Sequence, residues 1–239
     1  MRQLIDIPSC VPAVPGLEHA GAEFGPAQIE ELAKLERVVG LAEVMDYLDV
    51  IHGGDRMMDI IRTAEEHGLY LQGHAPFVEG RMLSAYLCGG PNTCHESRTA
   101  EEALEKMRSG MRVDARDSSI TKNVEAIWSG VKDFRFFDNF CLCTDDREAD
   151  DILHNGHINS ATLNSAREAG LQNLGAVAPG YAADMLLVDD LRELTPSHVF
   201  YAGKLVAQEG RLLAEIEDKS YPLESANSVH VRKLAAEDF

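Results

Sequence analysis

Residues 38–76, VVGLAEVMDYLDVIHGGDRMMDIIRTAEEHGLYLQGHAP, decide the fold class. The apolar run Val38–Ala42 predicts a strand, Asp55–His67 predicts a helix, and Leu69–Gly73 predicts a second strand. A strand, a helix and a strand in this order are typical of a βαβ unit, in which the two strands lie parallel in one sheet. The stretch therefore predicts an α/β protein.

The same alternation continues on both sides of this unit. Further strands are predicted at Leu4–Pro8, Met111–Ala115 and Phe134–Cys143, and further helices at Ala27–Glu36, Arg81–Gly89, Thr99–Ser109 and Lys122–Trp128. An open doubly wound sheet and part of a (β/α) barrel both fit this pattern, and periodicity alone does not choose between them.

The pattern changes after residue 180, where short apolar segments are separated by glycines. Strands of a small antiparallel region are predicted at Asp184–Asp190, Ser197–Ala202 and Lys204–Glu209. We therefore expect three parts: an α/β region over 1–180, a small β region over 181–224 and a polar tail over 225–239.

The composition is that of a folded globular protein, with 239 residues, a formal net charge of −18 and 45% hydrophobic residues. The acidic excess argues against binding to a nucleic-acid backbone. No apolar run approaches the roughly 20 residues needed to span a bilayer, and no signal peptide is evident, so we expect a cytoplasmic protein without a membrane partner. The five cysteines do not fit a disulfide framework, and Cys141 and Cys143 are expected to be buried strand residues.

Polar side chains stand directly after several predicted strands. Glu43, His74 and Asp145 each follow a strand, and His95 follows a short turn of glycine and proline. The strand ends of parallel α/β folds face the pocket, and imidazoles with carboxylates are suitable ligands for a divalent metal. Taken singly, each has another reading: a loop histidine, a solvated helix start at Glu43, or a helix cap at Asp145.

Motifs that cover most of the chain, in order, accompany these residues. They are PSCVPAVP (8–15), VVGLAEVMDY (38–47), GHAPFVEGRMLSAYLCGG (73–90), CHES (94–97), TAEEALEKMRSGM (99–111), TDD (144–146), ILHNGHIN (152–159) and ATLNSAREAGLQNLGAVAPGYAADMLLVDDL (161–191). Together they closely resemble the bacterial adenine deaminases of the amidohydrolase superfamily.

The resemblance implies a partial metal-dependent (β/α)8 barrel, TIM-like, that converts adenine and water to hypoxanthine and ammonia in purine salvage and adenine catabolism. A divalent ion (Mn, Fe or Zn, binuclear in the intact family) would supply the hydroxide that attacks C6 of the purine base. By motif, Glu43 resembles the bridging carboxylate of the fourth strand. His74 and His95 resemble the metal-binding imidazoles of the fifth and sixth strands. Asp145 resembles the eighth-strand aspartate that binds metal and moves a proton, and Glu96 is expected to assist proton transfer or purine binding.

Three departures from the family pattern stand beside this resemblance. The chain opens near the family's third strand and contains no His-x-His pair, which binds one of the metals in the family; a stretch is missing after residue 159; and only the beginning of the family's C-terminal region is present. The main hypothesis is an adenine deaminase-like hydrolase, with a homo-oligomer left open. The alternatives are a catalytically incompetent fragment or remnant of that enzyme, and a relative that acts on another cyclic amidine or amide.

Overall fold

The computed structural model describes residues 2–155 and 162–217, together with 232 and 235. The chain divides into two compact units, Met1–Asp184 and Met185–Phe239. Among the described residues, no helix combines the length and the apolar character needed to cross a membrane. The tail expected over 225–239 lies almost wholly outside the described residues, as does His157 of the ILHNGHIN motif.

The first unit alternates strands and helices. Its strands are β1 (Ile5–Pro8), β2 (Val38–Val44), β3 (Tyr70–Gly73), β4 (Thr93–Cys94), β5 (Arg112–Arg116) and β6 (Phe140–Cys143). Its helices are α1 (Pro26–Leu32), α2 (Tyr47–His52), α3 (Asp55–Glu66), α4 (Gly80–Cys88), α5 (Ala100–Arg108), α6 (Val124–Val131), α7 (Ala149–Asn155) and α8 (Leu163–Glu168). The predicted α/β class is confirmed.

All the strand pairs of this unit are parallel. They form two three-stranded sheets in the orders β1-β2-β3 and β4-β5-β6. The sheets are linked where β3 meets β4, because the backbone N–H of Gly73 donates to Thr93 Oγ1 at 2.9 Å. The carboxyl ends of neighbouring parallel strands lie on the same edge, so residues that follow β2, β3, β4 and β6 are brought together.

Side-chain alternation gives the sheet two different faces. Ile7, Leu41 and Leu71 pack in one apolar core with residues of α3. On the opposite face, the Tyr70 hydroxyl donates to Asp6 Oδ2 at 2.6 Å. Gly40 makes room for this pair, since a Cβ there would lie 2.4 Å from the Tyr70 ring and 2.7 Å from Asp6 Oδ1. The face away from the helices is therefore polar from β1 to β3.

The predicted strand Phe134–Cys143 is wrong over its first six residues, because the strand covers only Phe140–Cys143. Phe134, Phe137 and Phe140 instead pack against Ile127 and Val131 on the α5 and α6 side of β5. Their spacing is three residues, which suits a turn and not the period of two of a strand. The helix α7 begins at Ala149, so Asp145 does not occupy its N-cap position as the alternative reading expected.

The second unit is antiparallel. Its strands β7 (Met185–Val188), β8 (Pro196–Tyr201), β9 (Lys204–Gln208) and β10 (Arg211–Leu212) form one sheet in the order β10-β9-β8-β7. The register pairs Val199 with both Leu186 and Ala207 across the sheet. The boundary between the units falls close to the change of pattern at residue 180.

Candidate metal centre

The side chains of Glu43, His74 and His95 converge at the carboxyl ends of β2, β3 and β4. Glu43 Oε2 accepts a hydrogen bond from His74 Nδ1 at 3.0 Å and one from His95 Nε2 at 2.9 Å. The two imidazole rings meet edge to face, with their centroids 5.4 Å apart. Three ligand atoms from three different strand ends thus point at one place.

These contacts shape the charge of the carboxylate. Burial of Glu43 acts to raise its pKa, but the hydrogen bonds from His74 and His95 outweigh it and hold the pKa at about 2. For His95, burial acts to lower the pKa, and the contact with Glu43 outweighs it, so the net direction is upward. Glu43 is therefore ionised at neutral pH, in a place from which water is partly excluded.

A second group of polar side chains adjoins the first. His95 Nε2 lies 3.5 Å from Glu96 Oε1, and the guanidinium of Arg116 at the end of β5 contacts both Glu96 and Asp145. Arg116 Nη2 also donates to Glu96 Oε2 at 3.2 Å. Burial acts to lower the pKa of Arg116, but the two carboxylates outweigh it and raise the pKa. One buried cation thus holds two acids in place.

The donor atoms are suited to a divalent metal. The ligand atoms of Glu43, His74 and His95 lie within 4.8 Å of one another, and so do those of His95, Glu96 and Asp145. Two imidazoles with a carboxylate suit Zn, Fe and related transition ions. In the second group the charge of Arg116 already offsets one of the two carboxylate charges. The first group therefore fits a metal ion better, with Asp145 close by.

The backbone around the first group is fixed by hydrogen bonds. Ser9 Oγ donates to the carbonyl of Glu43 at 2.5 Å. The N–H of His74 donates to the Tyr86 hydroxyl at 3.0 Å, and that hydroxyl donates to the carbonyl of Val44 at 3.2 Å. Tyr86 is fully buried and joins the ends of β2 and β3. The ligand positions therefore depend on buried polar contacts from outside the cluster.

The fully buried Lys106 ties the loop after β3 to the loop after β4. Its Nζ donates to the carbonyl of Ala75 at 2.6 Å, to Glu102 Oε1 at 2.6 Å and to Ser97 Oγ at 3.3 Å. The Glu102 carboxylate also accepts from the backbone N–H of Phe77 at 3.0 Å. A single ion pair thus satisfies the backbone of both loops that carry histidines.

Asn123 connects the second loop to β5. Its Nδ2 donates to the carbonyls of His95 at 3.1 Å and Ser97 at 2.9 Å, and its Oδ1 accepts from the backbone N–H of Arg116 at 2.6 Å. His95 and Arg116 are therefore held in register with one another by one buried amide.

The structure brings all five sequence-predicted site residues into two adjoining groups: Glu43, His74, His95, Glu96 and Asp145. Their roles as ligands or as proton carriers stay predictions. Sequence reasoning did not single out Arg116 as part of the site, although it follows the predicted strand Met111–Ala115 in the same way that His74 follows its strand. His154 is exposed, and its Nδ1 contacts the carbonyl of Asp150 at 2.7 Å.

The chain belongs to the amidohydrolase family, whose model matches residues 7–206. Proteins of this family generally depend on a divalent metal, in agreement with the donor set described above.

Among curated proteins, the chain is similar to adenine deaminases. It is 36% identical to the adenine deaminase of Petrotoga mobilis, over 98% of this chain and 44% of that protein. It is 38% identical to the adenine deaminase of Shewanella halifaxensis, over 93% of this chain and 41% of that protein. The chain thus spans less than half the length of these relatives.

Among solved structures, the β-aspartyl dipeptidase of Fervidobacterium islandicum AW-1 superposes with a TM-score of 0.52 at 14% identity, over 80% of this chain and 64% of that one. At this identity the likeness supports the fold alone.

Proposed function

We propose that this chain is part of an adenine deaminase, which converts adenine and water to hypoxanthine and ammonia. The observation that carries the proposal is the convergence of Glu43, His74 and His95 within 4.8 Å, beside Asp145, in a chain 36% identical to an adenine deaminase. We further propose that its six parallel strands correspond to the third to eighth strands of a (β/α)8 barrel. The substrate is then a purine base, and the reaction belongs to purine salvage in the cytoplasm.

Glu43, His74 and His95 are the residues proposed to hold the metal, and Asp145 would serve as a further ligand. Mn, Fe or Zn suits these donors. A divalent ion bound there supplies Lewis acidity, which makes water a usable nucleophile near neutral pH.

The proton chemistry falls to the chain's own carboxylates. The reaction forms a C6–O bond and breaks the C6–N bond; one proton of the water goes to ring N1 and the other to the leaving amine. Asp145 accepts that proton and returns it to the nitrogen. Arg116 contacts the Asp145 carboxylate and orients it before the transfer. Glu96, held by the same guanidinium, is placed to accept a hydrogen bond from the purine or to assist the transfer.

The test is adenine-to-hypoxanthine conversion by the purified chain with and without added Mn²⁺, with bound metal measured in the same sample. His74→Ala removes a ligand, so we expect at least about a 100-fold loss of metal-dependent turnover. His154→Ala is the matched control because His154 lies exposed on α7, outside the cluster, and it should keep wild-type activity. Full activity in His74→Ala would contradict the assignment.

A second candidate function is metal binding without turnover. The sequence contains no His-x-His pair, whereas the resemblance implies one in the active family. Stoichiometric metal in a folded chain that converts no adenine would favour this candidate over the first. A folded chain that binds no metal would overturn both.

A further inference from the structure

A second cluster of possible ligands lies in the interior of the first unit, apart from the candidate centre. It consists of Asp114 on β5, Cys141 on β6 and Glu168 at the end of α8, with donor atoms within 4.8 Å of one another. Asp114 stands opposite Cys141 in the parallel register of β5 and β6. The cluster shares no residue with the Glu43, His74 and His95 group, so the inference below does not depend on the proposed function.

Asp114 faces away from the apolar core. Its neighbours Val113 and Ala115 pack against α5 and α6, so alternation turns the Asp114 side chain to the other face of the sheet. There it is only 3% exposed, and Cys141 beside it is only 5% exposed. A carboxyl group and a thiol are thus placed together where water has little access.

The carboxyl group of Asp114 is incompletely satisfied. Within the part of the chain that the structure describes, its Oδ2 accepts no hydrogen bond. Burial, followed by the facing carboxyl of Glu168, raises the pKa of Asp114 well above its ordinary value. The hydrogen bond with Cys141 and then the charge of Arg112 offset this rise in the pKa only in part, and Arg112 Nη1 donates to the carbonyl of Asp138 at 3.1 Å. The cluster therefore holds three groups that become negative when they lose a proton, and buried groups of this kind are stable only when they are protonated or paired with a cation.

We propose that Asp114, Cys141 and Glu168 form a second metal site, which takes Zn²⁺ or a similar thiophilic divalent ion and fastens α8 to β5 and β6. One thiolate with two carboxylates suits zinc, which has no preferred geometry of its own. Bond lengths of about 2.3 Å to sulfur and about 2.1 Å to oxygen put the donors about 3.5 Å apart in a tetrahedral site.

Metal binding at this site is balanced in charge by the release of protons. The Cys141 thiol and the protonated carboxyl of the acid pair give up their protons to solvent as the ion enters. From the sequence alone, Cys141 is expected to be a buried strand residue with a packing role. The structure adds the two acids beside it, which no local sequence pattern connects.

The experiment is a titration of the full chain with Co²⁺, read by the near-ultraviolet charge-transfer absorption of a thiolate bound to cobalt. We expect the band to reach its full height once one Co²⁺ is bound at this site, and in His74→Ala, which lacks a ligand of the other centre, this should need about one equivalent of Co²⁺. Cys141→Ser should abolish it. Cys143→Ser, the matched control two residues along the same strand, should keep it. His74→Ala should also keep it, because the imidazole group is a different site.

Glu168→Gln provides a second variant in case Cys141→Ser fails to fold, as judged by far-ultraviolet circular dichroism. It should weaken the Co²⁺ affinity by at least about tenfold and leave the secondary structure unchanged. A folded wild-type chain with no thiolate band at saturating Co²⁺ would overturn the proposal. The proposal would also be overturned if the band survived Cys141→Ser, or if it disappeared in Cys10→Ser, because a cysteine other than Cys141 would then supply the thiolate.

Discussion

Replacement of Arg116 by methionine tests the ion pairs beside the candidate metal centre. The Arg116 guanidinium contacts Glu96 and Asp145, and its side chain is only 6% exposed, against 13% for Glu96 and 28% for Asp145. Methionine fills much of the same space without charge, so the two acids lose their shared cation while the packing is largely kept. Two carboxylates then lie near one another with no positive charge between them.

The expected loss of stability follows from this burial. Removal of one partner from a buried ion pair costs about 3–5 kcal/mol, because an uncompensated charge stays in a poorly solvated place. Asp145 keeps partial contact with solvent, which moves the expectation to the lower end, about 3 kcal/mol at pH 7. Arg116→Lys keeps the charge but not the forked geometry, so we expect an intermediate loss of about 1–2 kcal/mol.

The assay is urea unfolding of the metal-free chain, followed by circular dichroism. Arg62→Met is the matched control, since Arg62 pairs with Asp59 at the surface with side-chain exposures of 64% and 51%, and it should change stability by less than about 0.5 kcal/mol. Added Mn²⁺ should restore part of the stability of Arg116→Met, because the freed carboxylates and His95 can then share an ion. Equal stability of Arg116→Met and wild type, or a loss that Mn²⁺ does not relieve, would refute the reasoning.

Two further changes probe other buried charges. Lys106→Met should lower the free energy of unfolding by about 3 kcal/mol, because it leaves the buried Glu102 carboxylate without its partner. The control is Lys34→Met at an exposed ion pair, which should change the free energy of unfolding by less than about 0.5 kcal/mol. Urea unfolding measures both. Burial raises the pKa of Asp6 in the folded chain, so the stability that this group contributes is complete below its unfolded pKa of about 3.9 and is lost as pH rises through the folded pKa. Asp6→Asn should therefore flatten the decline of stability with rising pH, and an unchanged pH profile would contradict this.

The ends of β2 and β3 could be predicted from the sequence because each strand is a run of apolar residues long enough to recognise. Val38–Ala42 and Leu69–Gly73 lie within one residue of the observed strand starts, and the polar residues after them fall at the candidate centre. The strand β4, Thr93–Cys94, has only two residues and no periodicity to detect. His95 was assigned through a turn and a motif instead.

Other features were missed for different reasons. The short helix α2 carried local signals, since Asp46 Oδ1 accepts from the N–H of Asp49 at 3.3 Å and Gly53 ends the helix with a φ of 67°. The role of Arg116 had no such signal beyond its place after a strand. Its partners lie 20 and 29 residues away in the chain, and only the packing of β5 between β4 and β6 brings them together.

The loops that carry the histidines are held by buried polar groups and not by apolar packing alone. Lys106 satisfies the carbonyl of Ala75, Asn123 satisfies that of His95, and the Tyr86 hydroxyl accepts from the N–H of His74. Each of these groups serves the backbone, so the contacts that hold the loops do not themselves require a bound ion. When the residues of a site are already ordered before the ligand binds, little of the binding free energy is lost in ordering them. The carboxylates that gather there, Glu43 and Asp145 among them, are offset by nearby cations: Arg116 in one group and, as proposed, a divalent metal in the other.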